Sequence, residues 1–284
     1  MTLGEIYRQG KNVLSGAGNE SPAFDADCLF QKAFGLDRQG RLLRSNEIAD
    51  GTKARGYMDC VRERASGRPL QYILGKWPFM KLELNVGEGV LIPREETELL
   101  VYTAARLLRG VDAPCVLDLC AGTGAVALGL ASLFPSAKIT AAEFYDKAFS
   151  YLNLNIKETG FRNVTALRLD VLDPQSTRQL PMLDCIVSNP PYVEEETIST
   201  LQAEVQLEPR TALNGGRDGL DFYRAIAQLW LPKLKPSGTA AVEVGEGQAD
   251  AVSELFKAAG LSQIQVHRDF NEIERVVAGI REKD

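Results

Sequence analysis

Histidine is nearly missing from this 284-residue chain: His267 stands alone, with no cysteine or second histidine nearby. That disfavours a histidine metal ligand or general base, and His267 reads as an ordinary strand residue. The five cysteines (Cys28, Cys60, Cys115, Cys120, Cys185) are odd in number, widely spaced and mostly set in apolar stretches. They suit reduced core thiols, not a disulfide framework or a structural zinc site. No apolar run approaches the ~20 residues of a membrane span, and the opening MTLGEIYRQGKN lacks the apolar core and cleavage site of a secretory signal. A cytoplasmic protein without a membrane partner is expected. Nor is there a basic stripe of the kind that grips a duplex by its phosphates: 32 Lys and Arg face 38 Asp and Glu, for a net charge of −6. No stable nucleic-acid partner is expected.

What is present is ordinary globular composition, 45% hydrophobic, in a chain long enough for one large domain and one small. Charge is uneven: residues 1–80 carry 12 Lys and Arg against 9 Asp and Glu, and residues 81–284 carry 20 against 29. In the first 75 residues the apolar positions recur at helical spacing (Leu3, Ile6, Tyr7, Val13, Leu14, then Phe24, Cys28, Leu29), punctuated by Gly16, Gly18, Gly35 and Gly67-Arg68-Pro69. This predicts a small helical bundle over residues 1–75. Phe79, Leu82, Leu84 and Val86, then Gly87-Glu88-Gly89 and Val90-Leu91-Ile92, predict a hairpin linker over residues 76–94. From residue 95 to 284 strands and helices alternate, which predicts an α/β domain with a mostly parallel sheet covered on both faces. Strands are expected near 115–119, 138–142, 164–169, 183–188, 239–244, 263–267 and 274–279, and helices near 95–108, 124–133, 146–158, 195–202, 219–233 and 249–259.

Two segments point to a site. Val116-Leu117-Asp118-Leu119-Cys120-Ala121-Gly122-Thr123-Gly124 reads as a strand, a glycine turn and a helix start, where a ligand approaches backbone N–H groups closely. It lacks the G-x-G-x-x-G spacing of dinucleotide binders, which disfavours a nucleotide-dependent oxidoreductase, and Cys120 stands where glycine is usual. Glu143 ends the next strand, where a carboxylate can accept ribose hydroxyls, and Asp170, followed by Val171, ends the third. Asp170 could instead cap the loop toward Asp173-Pro174. Acidic strand ends without a phosphate-binding Lys or Arg suit an adenosine carrying no phosphate, as in S-adenosylmethionine. The second segment is Asn189-Pro190-Pro191-Tyr192, directly after the apolar run 183–188. The prolines fix their own φ and bias the residue before them toward extended geometry, so the Asn189 carboxamide oxygen and the Pro190 carbonyl can face one amino group.

This combination resembles the amino-methyltransferases that use S-adenosylmethionine. The further segments Pro69-Leu70-Gln71-Tyr72-Ile73-Leu74-Gly75, Leu91-Ile92-Pro93-Arg94 with Glu96-Thr97-Glu98, Glu208-Pro209-Arg210, Gly215-Gly216 with Asp218-Gly219-Leu220, and Glu243-Val244-Gly245 with Gln248 narrow it. Together they resemble the release-factor glutamine (protein-glutamine N5) methyltransferase family of PrmC/HemK type. The resemblance implies a Rossmann-like methyltransferase fold and a methyl transfer from S-adenosylmethionine, leaving S-adenosylhomocysteine, to the glutamine of the Gly-Gly-Gln loop of peptide-chain release factors. Asn189, Pro190 and Tyr192 would carry the chemistry. Cys120, Ala121, Gly122, Thr123, Gly124, Glu143, Asp170, Val171 and Asn189 would hold the cofactor, and Asn189 to Tyr192 with Arg94, Glu208 and Arg210 the substrate; either arginine could equally pair with a carboxylate between domains. Departures from the family pattern are Glu95 for a second proline, Glu143 for aspartate, Thr211 and Asn214 for more apolar residues, and no glycine within 269–275. The rivals are an adenine or cytosine amino-methyltransferase, whose flipped base offers the same NH2, and a non-catalytic binding module that keeps the pocket.

Overall fold

The computed structural model of the chain describes residues 1–282. Its first unit joins Met1–Lys76 to Gln202–Leu207 and is helical: α1 (Leu3–Gly16), α2 (Pro22–Phe34), α3 (Arg38–Leu43), α4 (Gly51–Ala65) and α5 (Leu70–Leu74). A capping box starts α1, with the Thr2 hydroxyl and the Glu5 carboxylate each accepting the other's backbone N–H. Pro22 opens α2, where its missing N–H costs nothing, and Gly35 ends it in the left-handed region at φ 70°. Leu14, Leu29, Phe30, Tyr57 and Val61 are fully buried, with Phe30 stacked on Phe34 at 4.4 Å and edge-on to Tyr57. The buried Arg64 donates to Asp25 at 2.5 Å and also to Glu204, so two carboxylates offset one desolvated guanidinium.

The second unit, Trp77–Leu201 with Glu208–Asp284, begins in a two-stranded hairpin, β1 (Lys76–Phe79) and β2 (Leu82–Asn85). Its turn is Met80-Lys81, with Met80 at φ 53°, and not the expected Gly87-Glu88-Gly89. Residues 87–92 form no strand; Ile92 N–H is taken by the Glu208 carboxylate at 2.9 Å instead of a strand partner.

There follow α6 (Thr97–Leu107), β3 (Cys115–Leu119), α7 (Ala125–Leu133), β4 (Lys138–Glu143), α8 (Asp146–Thr159), β5 (Val164–Arg168), β6 (Leu183–Ser188), α9 (Arg210–Leu213), α10 (Asp221–Ala225), β7 (Leu234–Glu243), α11 (Ala249–Ala258), β8 (Leu261–Arg268) and β9 (Glu274–Arg281). The seven-stranded sheet runs β5-β4-β3-β6-β7-β9-β8, parallel through β7 and antiparallel at β9 and β8. Its central strands are nearly continuous apolar runs because helices cover both faces. On one face Leu100, Val101, Leu128 and Leu130 pack over Val116 and Val187; on the other Tyr223, Trp230, Val252 and Phe256 pack over Leu117 and Ile186. Strand order reverses at β3, which has β4 on one side and β6 on the other, so a crevice opens at the carboxyl ends of β3 and β6.

The helix expected over 195–202 reduces to one 3-10 turn, Ile198–Thr200. The reason is visible in the backbone: Val193 N–H bonds Leu213 O and Glu195 N–H bonds Gly216 O, so this segment pairs with a loop. The helix expected over 219–233 is broken into α10, a π turn at Ile226–Trp230 and a 3-10 turn at Leu231–Lys233. Gly219 at φ 71° lies outside it, and Pro232 lacks an N–H for the last turn. No helix among the described residues is long and apolar enough to cross a membrane.

Candidate active site

Strand register assembles the site. Leu119 pairs with Ala142 on β4 and with Ser188 on β6, and Glu143 pairs with Arg168 on β5. The residues that follow, Cys120, Glu143, Asp170 and Asn189, therefore emerge along one edge of the sheet. Ser188 reinforces the alignment by donating its hydroxyl to Leu119 O at 2.7 Å. A single pocket gathers Cys120, Ala121, Gly122, Thr123, Glu143, Asp170, Val171, Asn189, Pro191 and Arg94 in its lining.

The turn after β3 needs its glycines for conformation. Gly122 and Gly124 have φ of 55° and 85°, and Cys120, at φ 59°, adopts the same region without being glycine, which explains why a glycine is usual there. A Cβ on Gly124 would also lie 2.7 Å from Leu152. Thr123 is fixed from behind: Asn155 donates to its carbonyl at 2.9 Å and to Asn85 O at 3.1 Å. Glu143 is anchored by three backbone donors, Gly122 N–H on Oε2 and Phe144 and Tyr145 N–H on Oε1, which leaves about one acceptor position of a carboxylate's four. Burial raises its pKa, against those hydrogen bonds. Asp170 accepts Leu172 N–H at 2.9 Å and lines the pocket, so it both caps the loop and faces the cavity.

The four-residue turn after β6 is held from several directions. Asn189 Nδ2 donates to Thr97 Oγ1 at 3.2 Å. Among the described residues none donates to the Pro190 carbonyl. Gln248 donates to Tyr192 O at 2.9 Å while its own oxygen accepts Gly245 N–H. The Val193 bridge to Asn214 docks the loop 213–219 on the turn so closely that a Cβ at Gly215 would lie 2.8 Å from Pro191 O and Tyr192 Cα. Pro190 and Tyr192 do not line the pocket themselves; Tyr192 packs toward Gly245 on the adjoining core, and burial pushes its phenol well up.

Arg94 pairs with the buried Glu208, and both belong to the same unit. Arg210 pairs with Glu195 at 3.0 Å on the exposed surface, outside the pocket lining, as Glu208 also is. His267 lies on β8 beside Arg106.

Three residues at the site were not singled out from sequence. Asp118 lines the pocket at 1% exposure; Oδ2 accepts Ala127 N–H, Oδ1 has no partner among the described residues, and burial pushes its pKa up to about 8. A lone carboxylate inside the apolar run of β3 was the available signal. Thr97 and Glu243, around Asn189, are 92 and 54 residues from it in sequence, and only the fold brings them there.

Comparison with known proteins converges on one family. A model described as "PrmC N-terminal domain" matches residues 5–75, and one described as "Methyltransferase small domain" matches residues 96–216. A release factor glutamine methyltransferase of Geobacter sulfurreducens is 36% identical over 279 residues, covering 98% of this chain and 96% of the relative. One from Moorella thermoacetica is 35% identical over 261 residues, covering 92% and 91%. Among solved structures, the hMettl16 catalytic domain in complex with MAT2A 3'UTR hairpin 6 has a TM-score of 0.57 at 14% identity, covering 83% of each chain, a likeness of fold alone. With more than a third of residues identical over nearly the whole of both chains, this chain belongs to the release factor glutamine methyltransferase family.

Proposed function

We propose that the chain transfers a methyl group from S-adenosylmethionine to the side-chain amide nitrogen of the glutamine in the Gly-Gly-Gln motif of bacterial-type peptide-chain release factors, in the cytoplasm. The observation that carries the reading is Asn189, which lines the same pocket as residues 120–123, a turn that Gly124 shapes from outside the lining, while its side-chain NH2 is tied to Thr97. That leaves Oδ1 as the group it offers to a partner.

The pocket's donor set fits the cofactor. The unpartnered, buried Asp118 Oδ1 is suited to an ammonium group, Glu143 retains an acceptor for a ribose hydroxyl, and Asp170, with Phe144, Tyr145 and Leu172 beside it, suits an adenine. When bound, S-adenosylmethionine supplies an electrophilic methyl group on a sulfonium.

A glutamine amide nitrogen is a poor nucleophile because its lone pair is delocalised into the carbonyl. The protein's task is therefore to orient it and tolerate the loss of that resonance. Asn189 Oδ1 and the Pro190 carbonyl accept the two amide hydrogens and aim the nitrogen at the methyl carbon. Positive charge gained by nitrogen is met by these two preorganised oxygens, and the proton leaves after transfer, so no dedicated base is needed. Tyr192, anchored through its carbonyl by Gln248 and packed on the adjoining core, backs the turn from outside the pocket lining. Arg94, with Glu208 behind it, is assigned to the path of the entering loop, with Arg210 at its rim; the helical unit is assigned to the rest of the release factor.

Replacement of Asn189 tests the reading. With labelled cofactor and an intact release factor, Asn189→Ala is expected to lower turnover by about 10²-fold while cofactor affinity changes by less than about threefold. A wild-type rate in the variant would remove Asn189 from the chemistry.

A further inference from the structure

Asn189 can clasp an NH2 group only if its carboxamide is turned with the oxygen toward the pocket and the nitrogen toward the protein. The two ends of a carboxamide are nearly the same size, so hydrogen bonding must decide the orientation. The observed bond, Asn189 Nδ2 to Thr97 Oγ1, sets it correctly. Thr97 is the buried first residue of α6. Having accepted from Asn189, its hydroxyl still has a proton to place, and the nearby buried carboxylate is Glu243, the last residue of β7, whose charged form is favoured by both Thr97 and Asn189. Glu243 is 3% exposed, and its Oε2 has no partner among the described residues. Nothing in the proposed chemistry uses this buried carboxyl group.

We propose that Glu243 is a positioning residue that, directly and through Thr97, fixes which way round the Asn189 carboxamide is held. An ionised carboxylate can only accept hydrogen bonds. Thr97 must then donate to it and can only accept from Asn189, so Asn189 must present its NH2 inward and Oδ1 to the pocket. With an amide or a protonated acid in place of the carboxylate, the chain can run the other way. Thr97 would then donate to Asn189 Oδ1, and the NH2 turned outward would repel the amide it should hold. The inference rests on the role given to Asn189 above.

The carboxylate is faced by Arg275 of β9, Glu96 ahead of α6, Tyr192 of the four-residue turn, and Thr97 and Asn189; the Tyr223 hydroxyl donates to its backbone carbonyl at 2.8 Å. Burial pushes the Glu243 pKa up to about 7, with Thr97, Arg275 and Asn189 opposing the rise and Glu96 adding to it. Ionisation, and with it the correct orientation, is therefore gained as pH rises through that value.

The test uses full-length Glu243→Gln, Thr97→Val and Thr97→Ser beside the wild type. Glu243→Gln and Thr97→Val are expected to lower kcat on an intact release factor about tenfold or more, with cofactor Kd within about twofold, and Thr97→Ser to stay within about threefold of wild type. Wild-type kcat should climb through about pH 7, and that of Glu243→Gln should be flat. In NMR spectra of the enzyme without release factor, the Asn189 side-chain NH2 should be protected from exchange in the wild type and unprotected in Glu243→Gln and Thr97→Val. Wild-type kcat and pH profile in Glu243→Gln, or Asn189 NH2 signals unchanged in both variants, would overturn the proposal; should Glu243→Gln not fold, the Thr97 pair decides. The spectra need no substrate, so they judge the orientation even where a wild type unable to methylate the release factor would sink the functional reading.

Discussion

Asp118 carries the sharpest pH prediction at the scale of single residues. Burial pushes the pKa of its carboxyl group up to about 8, and pairing with a cationic group favours its charged form. Below that pH, binding must expel a proton, so cofactor affinity is expected to rise from pH 6 to 8, by at most about tenfold per pH unit. Titration calorimetry on wild type and Asp118→Asn checks it: the variant should bind more weakly with a flat pH dependence, and an equal slope in both would exclude Asp118 as the partner. Residues of this kind divide by how far apart they sit in sequence. Asn189, Glu143 and the 120–124 turn were legible because each is local, a strand end followed by a chemically unusual step. Thr97 and Glu243 are not local to Asn189, and no spacing rule connects the start of α6 to the end of β7. Arg94 and Arg210 were legible only as charges; their pairing with Glu208 and Glu195 needed the structure.

Elements with a full hydrophobic period were readable and those ruled by backbone exchange were not. All seven strands of the large sheet lie where alternation and apolar runs put them, although β7 starts five residues earlier than expected, at Leu234. The absent helix at 195–202 and the misplaced hairpin turn have one physical cause: backbone groups there bond to distant loops or side chains, and polar composition gives no hint of that. The same docking makes a prediction about Gly215. The three atoms its missing Cβ would meet first are all backbone, Gly219 O, Pro191 O and Tyr192 Cα, each at 2.8 Å, so Gly215→Ala must push the four-residue turn out of place. A stability loss of about 1–3 kcal/mol is expected, with kcat falling by as much as about 10²-fold if the turn moves by about 1 Å. Thermal melting and kinetics measure both, and a variant matching wild type in each would contradict the contact.

Taken as a whole molecule, the chain has two compact units. The sheet-based unit contains every residue that lines the pocket, Arg94 among them, and also Glu208, the partner of Arg94 behind the lining. The helical unit extends beyond its own sequence segment by incorporating Gln202–Leu207, tied in through Arg64 and Glu204. Helical periodicity sets the boundary near residue 75 and leaves those six residues with the sheet, because a short polar stretch carries no periodicity to reveal its packing. Net negative charge over the whole protein argues for a protein substrate over a duplex, although the fold is shared with a domain solved on an RNA hairpin. The most direct measurement therefore sets the substrates side by side. Purified enzyme and isotopically labelled S-adenosylmethionine are incubated with intact release factor and, separately, with DNA, and the labelled methyl is located by mass spectrometry. The account predicts one methyl on the side-chain amide nitrogen of the Gly-Gly-Gln glutamine and none on DNA; a mark on a base, or on any other residue of the release factor, would contradict it.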